Sequence, residues 1–164
     1  LVASAESAGT SCTVGSAEPK DCLPGSYADT PQTEACALCP AGQYQDAYGQ
    51  TACVDCPVGS YCLARATEAT SCSPASFTAS AGQSSCDVCS AGKYQSGSGA
   101  TACDDCTAGY SCGEGAAAAL PCPAGTHVPA NVIVMSSASQ CVTCPSGTFC
   151  SVGSQMATAC APGT

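Results

Sequence analysis

The cysteines are the residues of this sequence whose type and spacing could support chemistry. There are 18 Cys among 164 residues, and five pairs have the spacing C-x2-C. Such pairs can hold zinc, act as a redox-active dithiol or belong to structural disulfides. Further cysteines follow at intervals of 6 and 10 residues, and the sequence has a single His. This regular array, without a strand–helix–strand context, favours a disulfide scaffold over a metal or redox centre.

The composition requires such a scaffold. Leu, Ile, Val and Phe together number 18, about 11% of the chain, and Trp is absent, whereas chains below roughly 20% usually fail to fold. Burial of so few side chains cannot offset the backbone entropy lost on folding. Disulfides stabilise a fold by typically about 2–4 kcal/mol each and persist in oxidising compartments. The sequence therefore predicts an extracellular or cell-surface location.

Charge and hydropathy limit the partners. The net charge is -9, and the three cations, Lys20, Arg65 and Lys93, are scattered along the sequence. Nucleic acid would be repelled, so it is excluded as a partner. No apolar stretch approaches the roughly 20 residues that span a bilayer, so no membrane span is predicted in this segment.

The cysteine spacing repeats with a period of 50 residues. Cys22 through Cys62 maps onto Cys72 through Cys112, each set having the spacing C-x13-C-x2-C-x13-C-x2-C-x5-C. The predicted organisation is the end of a preceding repeat and a linker at 1–21, repeat 1 at 22–71, repeat 2 at 72–121, a shortened repeat 3 at 122–159, and the start of a further repeat at 160–164.

A second motif, Cys-x2-Gly-x-aromatic, follows many of the cysteines, as in Cys39-Pro-Ala-Gly-Gln-Tyr44. Pro and Gly favour a tight turn with Gly at positive φ, and the ring can lie against a nearby disulfide. A weaker copy has Ala75 at the Gly position, and His127 occupies one aromatic position. The prediction is a small disulfide-rich fold of tandem repeats, stacked as an elongated rod, with short β-hairpins, turns and almost no helix.

The shortened repeat carries an apolar insert, the one sustained β-branched run in the chain. Its apolar members are Val128, Val132, Ile133, Val134 and Met135. Two interpretations stay open: a longer hairpin that packs on its own repeat, or a strand that contacts another chain.

Part of the sequence resembles a known protein family. The segment CPAGQYQDAYGQTACVDCPVGSYC at 39–62 resembles the ephrin-receptor-like cysteine-rich repeats, and the six-cysteine spacing is similar to the tumour-necrosis-factor-receptor type of module. The resemblance implies extended extracellular modules in which each unit contacts its neighbours. It implies architecture more than function.

Cysteine pairing cannot be deduced from the sequence alone. The receptor-type resemblance implies Cys22–Cys36, Cys39–Cys56, Cys53–Cys62, Cys72–Cys86, Cys89–Cys106, Cys103–Cys112, Cys122–Cys144 and Cys141–Cys150. The main rival is sequential, with Cys39–Cys53, Cys56–Cys62 and their equivalents. Both schemes leave Cys12 and Cys160 over. A third scheme, with Cys12–Cys22, Cys62–Cys72, Cys112–Cys122 and Cys150–Cys160, leaves Cys141 and Cys144 instead.

The leftover cysteines have two interpretations. The chain is a fragment of a longer array, or Cys160 of one subunit bonds to Cys12 of the next. A head-to-tail contact of the second kind does not close and yields a filament. Homo-oligomers, filaments or neighbouring repeats are therefore the expected partners.

No catalytic residue or cofactor is predicted, since no catalytic motif occurs and the one His occupies an aromatic position of the repeat. O-glycans are expected on exposed hydroxyls, with the candidates Thr30, Ser73, Ser96, Ser98, Ser136 and Ser137. The leading hypothesis is a non-catalytic structural component of an extracellular coat, hair or fibre. The alternative is a segment of a receptor or adhesion ectodomain that binds a protein or a glycan.

Overall fold

The computed structural model describes residues 7–12, 15 and 18–161. Within them the chain forms nine antiparallel pairs of two-residue strands and one short 3-10 helix, Ala138–Gln140. The strands are β1 Thr10–Ser11, β2 Lys20–Asp21, β3 Ser26–Tyr27, β4 Ala37–Leu38, β5 Gln43–Tyr44, β6 Val54–Asp55, β7 Ser60–Tyr61, β8 Thr70–Ser71, β9 Ser76–Phe77, β10 Asp87–Val88, β11 Lys93–Tyr94, β12 Asp104–Asp105, β13 Tyr110–Ser111, β14 Leu120–Pro121, β15 Thr126–His127, β16 Val142–Thr143, β17 Thr148–Phe149 and β18 Thr158–Ala159. Each strand pair joins consecutive strands, which confirms the predicted disulfide-rich fold of short hairpins.

The chain divides into two compact units. The first comprises Leu1–Cys72 and Thr78–Cys86, and the second comprises Ser73–Phe77 and Asp87–Thr164. The repeat boundaries at 22, 72 and 122 stay predictions. The predicted partial repeats at 1–21 and 160–164 lie in part outside the described residues.

Eight of the nine described hairpins are built in the same way, and β5–β6 shows how. A turn over Pro40–Gln43 is closed by the hydrogen bond from the Gln43 N–H to the Pro40 carbonyl, at 3.1 Å. Gly42 takes the third position of the turn with φ +90°, a conformation that suits a residue without Cβ. The strand that follows pairs Gln43 with Asp55 and Tyr44 with Val54. The tight turn predicted from the Cys-x2-Gly motif is therefore present.

Ala75 adopts the turn conformation without being glycine. Its φ is +73°, and the Ser76 N–H still donates to the Ser73 carbonyl at 3.2 Å. A left-handed non-glycine residue is strained by about 1 kcal/mol, so the surrounding hydrogen bonds hold this turn in place.

Main-chain hydrogen bonds join each hairpin to the next within a unit. In the first unit the N–H of the turn residue Gly42 donates to the Cys62 carbonyl of the following hairpin at 2.8 Å. In the second unit the Gly92 N–H donates to the Cys112 carbonyl at 2.8 Å. The same bond recurs at other turns whatever the side chains are. Stacking therefore depends on backbone atoms, so the side chains are free to vary.

A second main-chain bond comes from the loop between the strands of the following hairpin. The N–H of Gly49 donates to the Cys22 carbonyl at 2.9 Å, and the N–H of Gly82 donates to the Cys56 carbonyl at 2.8 Å. These loop residues have positive φ, as does Arg65, whose N–H donates to the Cys39 carbonyl at 2.8 Å.

Turn glycines are also closely approached by the hairpin two positions further along. A Cβ built on Gly42 would overlap the carbonyl oxygen of Gly82, and one built on Gly9 would overlap that of Gly49. Hydrogen is thus the one side chain that these turns admit.

The core consists mainly of cysteine side chains. Among the described residues, ten of the thirteen buried apolar residues are cysteines, and the others are Ala28, Val128 and Met135. Both residues of most second strands are exposed, as in β6 and β12. The disulfides therefore fill the interior that the composition could not supply with large side chains.

Replacement of Gly42 by Ala tests the close approach between hairpins. Gly125 is the matched control, because its φ is +83° and a Cβ there meets no heavy atom within 4 Å. We expect Gly125→Ala to lower the free energy of local opening by about 1 kcal/mol and Gly42→Ala to lower it by about 1–3 kcal/mol more. Hydrogen exchange resolved by hairpin measures both values. Equal losses would show that the approach of Gly82 is unimportant.

Candidate functional site

Eight disulfides join the cysteines of the described hairpins. They are Cys22–Cys36, Cys39–Cys53, Cys56–Cys62, Cys72–Cys86, Cys89–Cys103, Cys106–Cys112, Cys122–Cys141 and Cys144–Cys150. Their Cα–Cα distances lie between 5.7 Å for Cys22–Cys36 and 6.3 Å for Cys144–Cys150, inside the usual range for a disulfide. Each bond closes a short loop within one hairpin.

The C-x2-C pairs mark the boundary between hairpins. Cys36 bonds back to Cys22, whereas Cys39 bonds forward to Cys53. The two residues between Cys36 and Cys39 are the strand β4, Ala37–Leu38. The spacing that resembles a zinc site is therefore the length of an exposed two-residue strand, flanked by sulfurs that belong to different disulfides.

This arrangement corrects the receptor-type pairing implied by the resemblance. That pairing joined Cys39–Cys56, Cys53–Cys62, Cys89–Cys106, Cys103–Cys112, Cys122–Cys144 and Cys141–Cys150, and the structure has the sequential pairs instead. The reason is strand register. Because Tyr44 pairs with Val54, the second strand runs back beside the turn that follows Cys39. Cys53, the residue before Val54, therefore lies within bonding distance of Cys39.

Cys12 and Cys160 lie in different units. The half-buried Cys12 donates its N–H to the Thr33 carbonyl at 2.9 Å. Cys160 is exposed with a free thiol, and its N–H donates to the Gly147 carbonyl at 3.0 Å. Covalent linkage between chains stays a prediction.

The apolar insert is divided between interior and surface. Met135 is 0% exposed and Val128 5% exposed, and both cluster with Cys122, with Val132 packed against them. Ile133 is 81% exposed. The insert forms a loop in place of a long strand, because a turn from Pro129 to Val132 interrupts the run.

The six hydroxyl residues predicted to carry O-glycans, Thr30, Ser73, Ser96, Ser98, Ser136 and Ser137, are exposed. The Ser137 hydroxyl also accepts a hydrogen bond from the Ser139 N–H at 3.2 Å and caps the 3-10 helix. His127 is half-buried in β15, with Nδ1 2.8 Å from the Val128 carbonyl oxygen.

Two glutamines brace the loops and were missed in the sequence analysis. Gln45 is 5% exposed; its Nε2 donates to the Ala52 carbonyl at 2.8 Å, and its Oε1 accepts from the Ala47 N–H at 3.1 Å. Gln95 repeats this arrangement with the Ala102 carbonyl at 3.0 Å. Gln45 and Gln95 are separated by 50 residues, the period of the cysteine spacing, and this agreement could have identified them in the sequence.

A cleft of about 750 Å³ in the first unit brings two cations together. Lys20 lies in β2 and Arg65 in the loop between β7 and β8, yet both line this cleft, with Asp21, Leu23 and Leu38. Two of the three cations that are far apart in the sequence therefore line one cleft. The sequence could not reveal this, because the two residues come from different hairpins.

These features define a small disulfide-rich fold of cysteine-rich hairpins. Residues 25–72 match the family model of the tyrosine-protein kinase ephrin type A/B receptor-like modules. The match confirms the predicted resemblance over that segment. No curated protein matches the chain.

The family and the disulfides agree on a coarse function. Modules of the ephrin-receptor-like family are typically non-catalytic parts of extracellular surface proteins, and residues 25–72 are similar to them. Eight disulfides suit an oxidising compartment. In residues 7–12, 15 and 18–161, no helix has the length and apolarity needed to cross a membrane.

Cleavage before aspartate distinguishes the two pairing schemes without reduction. The peptide bonds before Asp55, Asp87 and Asp104 lie between the cysteines of three C-x2-C pairs. With sequential bonds, the peptide of residues 87–103 is released alone because Cys89–Cys103 is internal to it. Mass spectrometry of the unreduced digest measures this. Receptor-type bonds would instead keep that peptide attached to the peptide that contains Cys106.

Truncation of Met135 tests the small apolar cluster. Met135→Ala should lower the free energy of unfolding by about 2–5 kcal/mol, because it leaves a cavity beside Cys122. The control Ile133→Ala should change it by less than about 0.5 kcal/mol, because that side chain is 81% exposed. Denaturant unfolding followed by hydrogen exchange compares them. Similar losses in both variants would contradict this division of the insert.

Proposed function

We propose that this chain is a non-catalytic structural component of an extracellular coat, hair or fibre. The observation that carries the proposal is the main-chain bond between consecutive hairpins, such as Gly42 N–H to Cys62 carbonyl at 2.8 Å. A contact made by the backbone can be repeated along a chain of any length, since no side chain has to be matched. Repetition of one stiff element suits a role that depends on length.

Mechanical stiffness and protease resistance are the proposed working properties. Eight of the nine described hairpins are closed by a disulfide over 6 to 19 residues of sequence separation, so local opening is restricted at each of these turns. An elongated rod is the form in which this stack would span distance. Acidic residues outnumber basic ones by twelve to three, which keeps such rods soluble by mutual repulsion.

A glycan coat is proposed on the exposed hydroxyls, chiefly Thr30, Ser73, Ser96 and Ser98, which lie on the surface of their units. Sugars there would shield a thin interior from proteases. Assembly with further copies, or with neighbouring repeats of a longer chain, is proposed to extend the array. The exposed thiol of Cys160 and the exposed Ile133 are among the groups of the second unit that could make such contacts.

A second candidate function is a segment of a receptor or adhesion ectodomain. The cleft with Lys20 and Arg65 favours it, because a purely structural surface has no need of a charged cleft outside the repeat pattern. The two functions are compatible when one part of a rod also binds.

Scattering and electron microscopy test the structural role. The secreted chain should have a radius of gyration well above the roughly 15 Å of a compact chain of its length, and it should resist a broad-specificity protease until it is reduced. Labelled antibodies should decorate coats or filaments on native material. A value near 15 Å, or label on discrete particles alone, would contradict the proposal.

A further inference from the structure

We infer that the cleft of the first unit binds an acidic peptide segment in which a carboxylate side chain neighbours an aliphatic one. This inference goes beyond the structural role and does not depend on it. The cleft holds about 750 Å³ and is lined by Lys20, Arg65, Leu23 and Leu38. That volume falls in the range of natural ligand sites.

The placement of charge is the first argument. The chain has three cations against twelve acidic residues, and two of the three line one cleft. The third, Lys93, forms an ion pair with Asp105 across β11–β12. Within the described residues neither Lys20 nor Arg65 is part of an ion pair, so both are available to a ligand carboxylate. Arg binds carboxylates with two parallel hydrogen bonds, and Lys adds a point charge.

The backbone at Arg65 is the second argument. Its φ is +67°, and its N–H makes the stacking bond that glycines make at the equivalent loop positions 49, 82, 115 and 153. Glycine would satisfy that backbone without strain. Gln32 and Ala75 also have positive φ, so the strain alone does not mark a site. The feature that Arg65 gains over its glycine equivalents is the guanidinium that lines the cleft.

The walls of the cleft indicate a peptide. Leu23 is 64% exposed and Leu38 is 53% exposed, so aliphatic surface lies open beside the cations. The hydroxyl of Thr67 and the carboxylate of Asp21 can bond to peptide N–H groups. The described residues that line the cleft include two leucines and no aromatic ring, so its apolar wall suits an aliphatic side chain.

The test uses residues that the repeat already tolerates. Lys20→Thr and Arg65→Gly place there the residues found 50 positions later, Thr70 and Gly115. The double variant K20T/R65G therefore keeps the turn chemistry while it removes both charges. The control is K93Q, which removes the paired cation outside the cleft. Hydrogen exchange of the unliganded variants should show unchanged or slightly raised protection.

Binding is measured by calorimetry with a blocked peptide of alternating Asp and Leu, and with the matched peptide of Asn and Leu. We expect wild type and K93Q to bind the Asp peptide alike, and K20T/R65G to bind it about tenfold or more weakly. Affinity should fall as ionic strength rises from about 0.01 M to about 0.15 M.

Several results would overturn the inference. They are equal binding by K20T/R65G and wild type, equal binding of the Asn peptide, or no binding of the Asp peptide. Binding of a sulfated polysaccharide that depends on Lys20 and Arg65, without peptide binding, would make the cleft a glycan site instead. R65K keeps the positive charge but lacks the planar guanidinium, so its affinity for the Asp peptide should lie between those of wild type and R65G. An affinity of R65K as low as that of the single variant R65G would contradict a charge-based role.

Discussion

The hydrogen bond from a turn N–H to the carbonyl of the next hairpin is the interaction on which this structure depends. It requires positive φ at the turn, as at Gly42 with φ +90°, and it brings the turn so close to a later loop that a Cβ would overlap the Gly82 carbonyl oxygen. In eight of the nine described hairpins a disulfide then holds the turn against its own hairpin, as Cys39–Cys53 does. Backbone and sulfur together do what large side chains do in an ordinary domain.

Because backbone hydrogen bonds and disulfides stabilise the fold, the surface side chains are not needed for it. Most second strands, such as Val54–Asp55, have both side chains exposed, so these side chains lie outside the sulfur core. A side chain with another role can therefore be added at little structural cost. Arg65 is such an addition, because its main chain does what glycine does elsewhere while its side chain lines a cleft. Function in this fold is added to the repeat and leaves it intact.

Much of the fold could be predicted from the sequence because its determinants are local. The Cys-x2-Gly motif predicted the turns, and the low count of large apolar residues predicted a disulfide core. Pairing could not be predicted, because Cys53 and Cys56 stand three residues apart and strand register alone separates their partners. The sequence did not reveal the cleft either, since Lys20 and Arg65 come from different hairpins and line it together only in the folded chain. Burial of Met135 beside exposed Ile133 depended on a turn within an apolar run.

The short span of every disulfide has a consequence for biogenesis. The bonds close over 6, 14 or 19 residues of separation, so each hairpin can oxidise soon after it enters an oxidising lumen, before the next one has emerged. Few competing thiols are then present, and a short loop closes at a small entropic cost. An oxidase acting in chain order would give native pairs with little need for isomerase, even for arrays of great length.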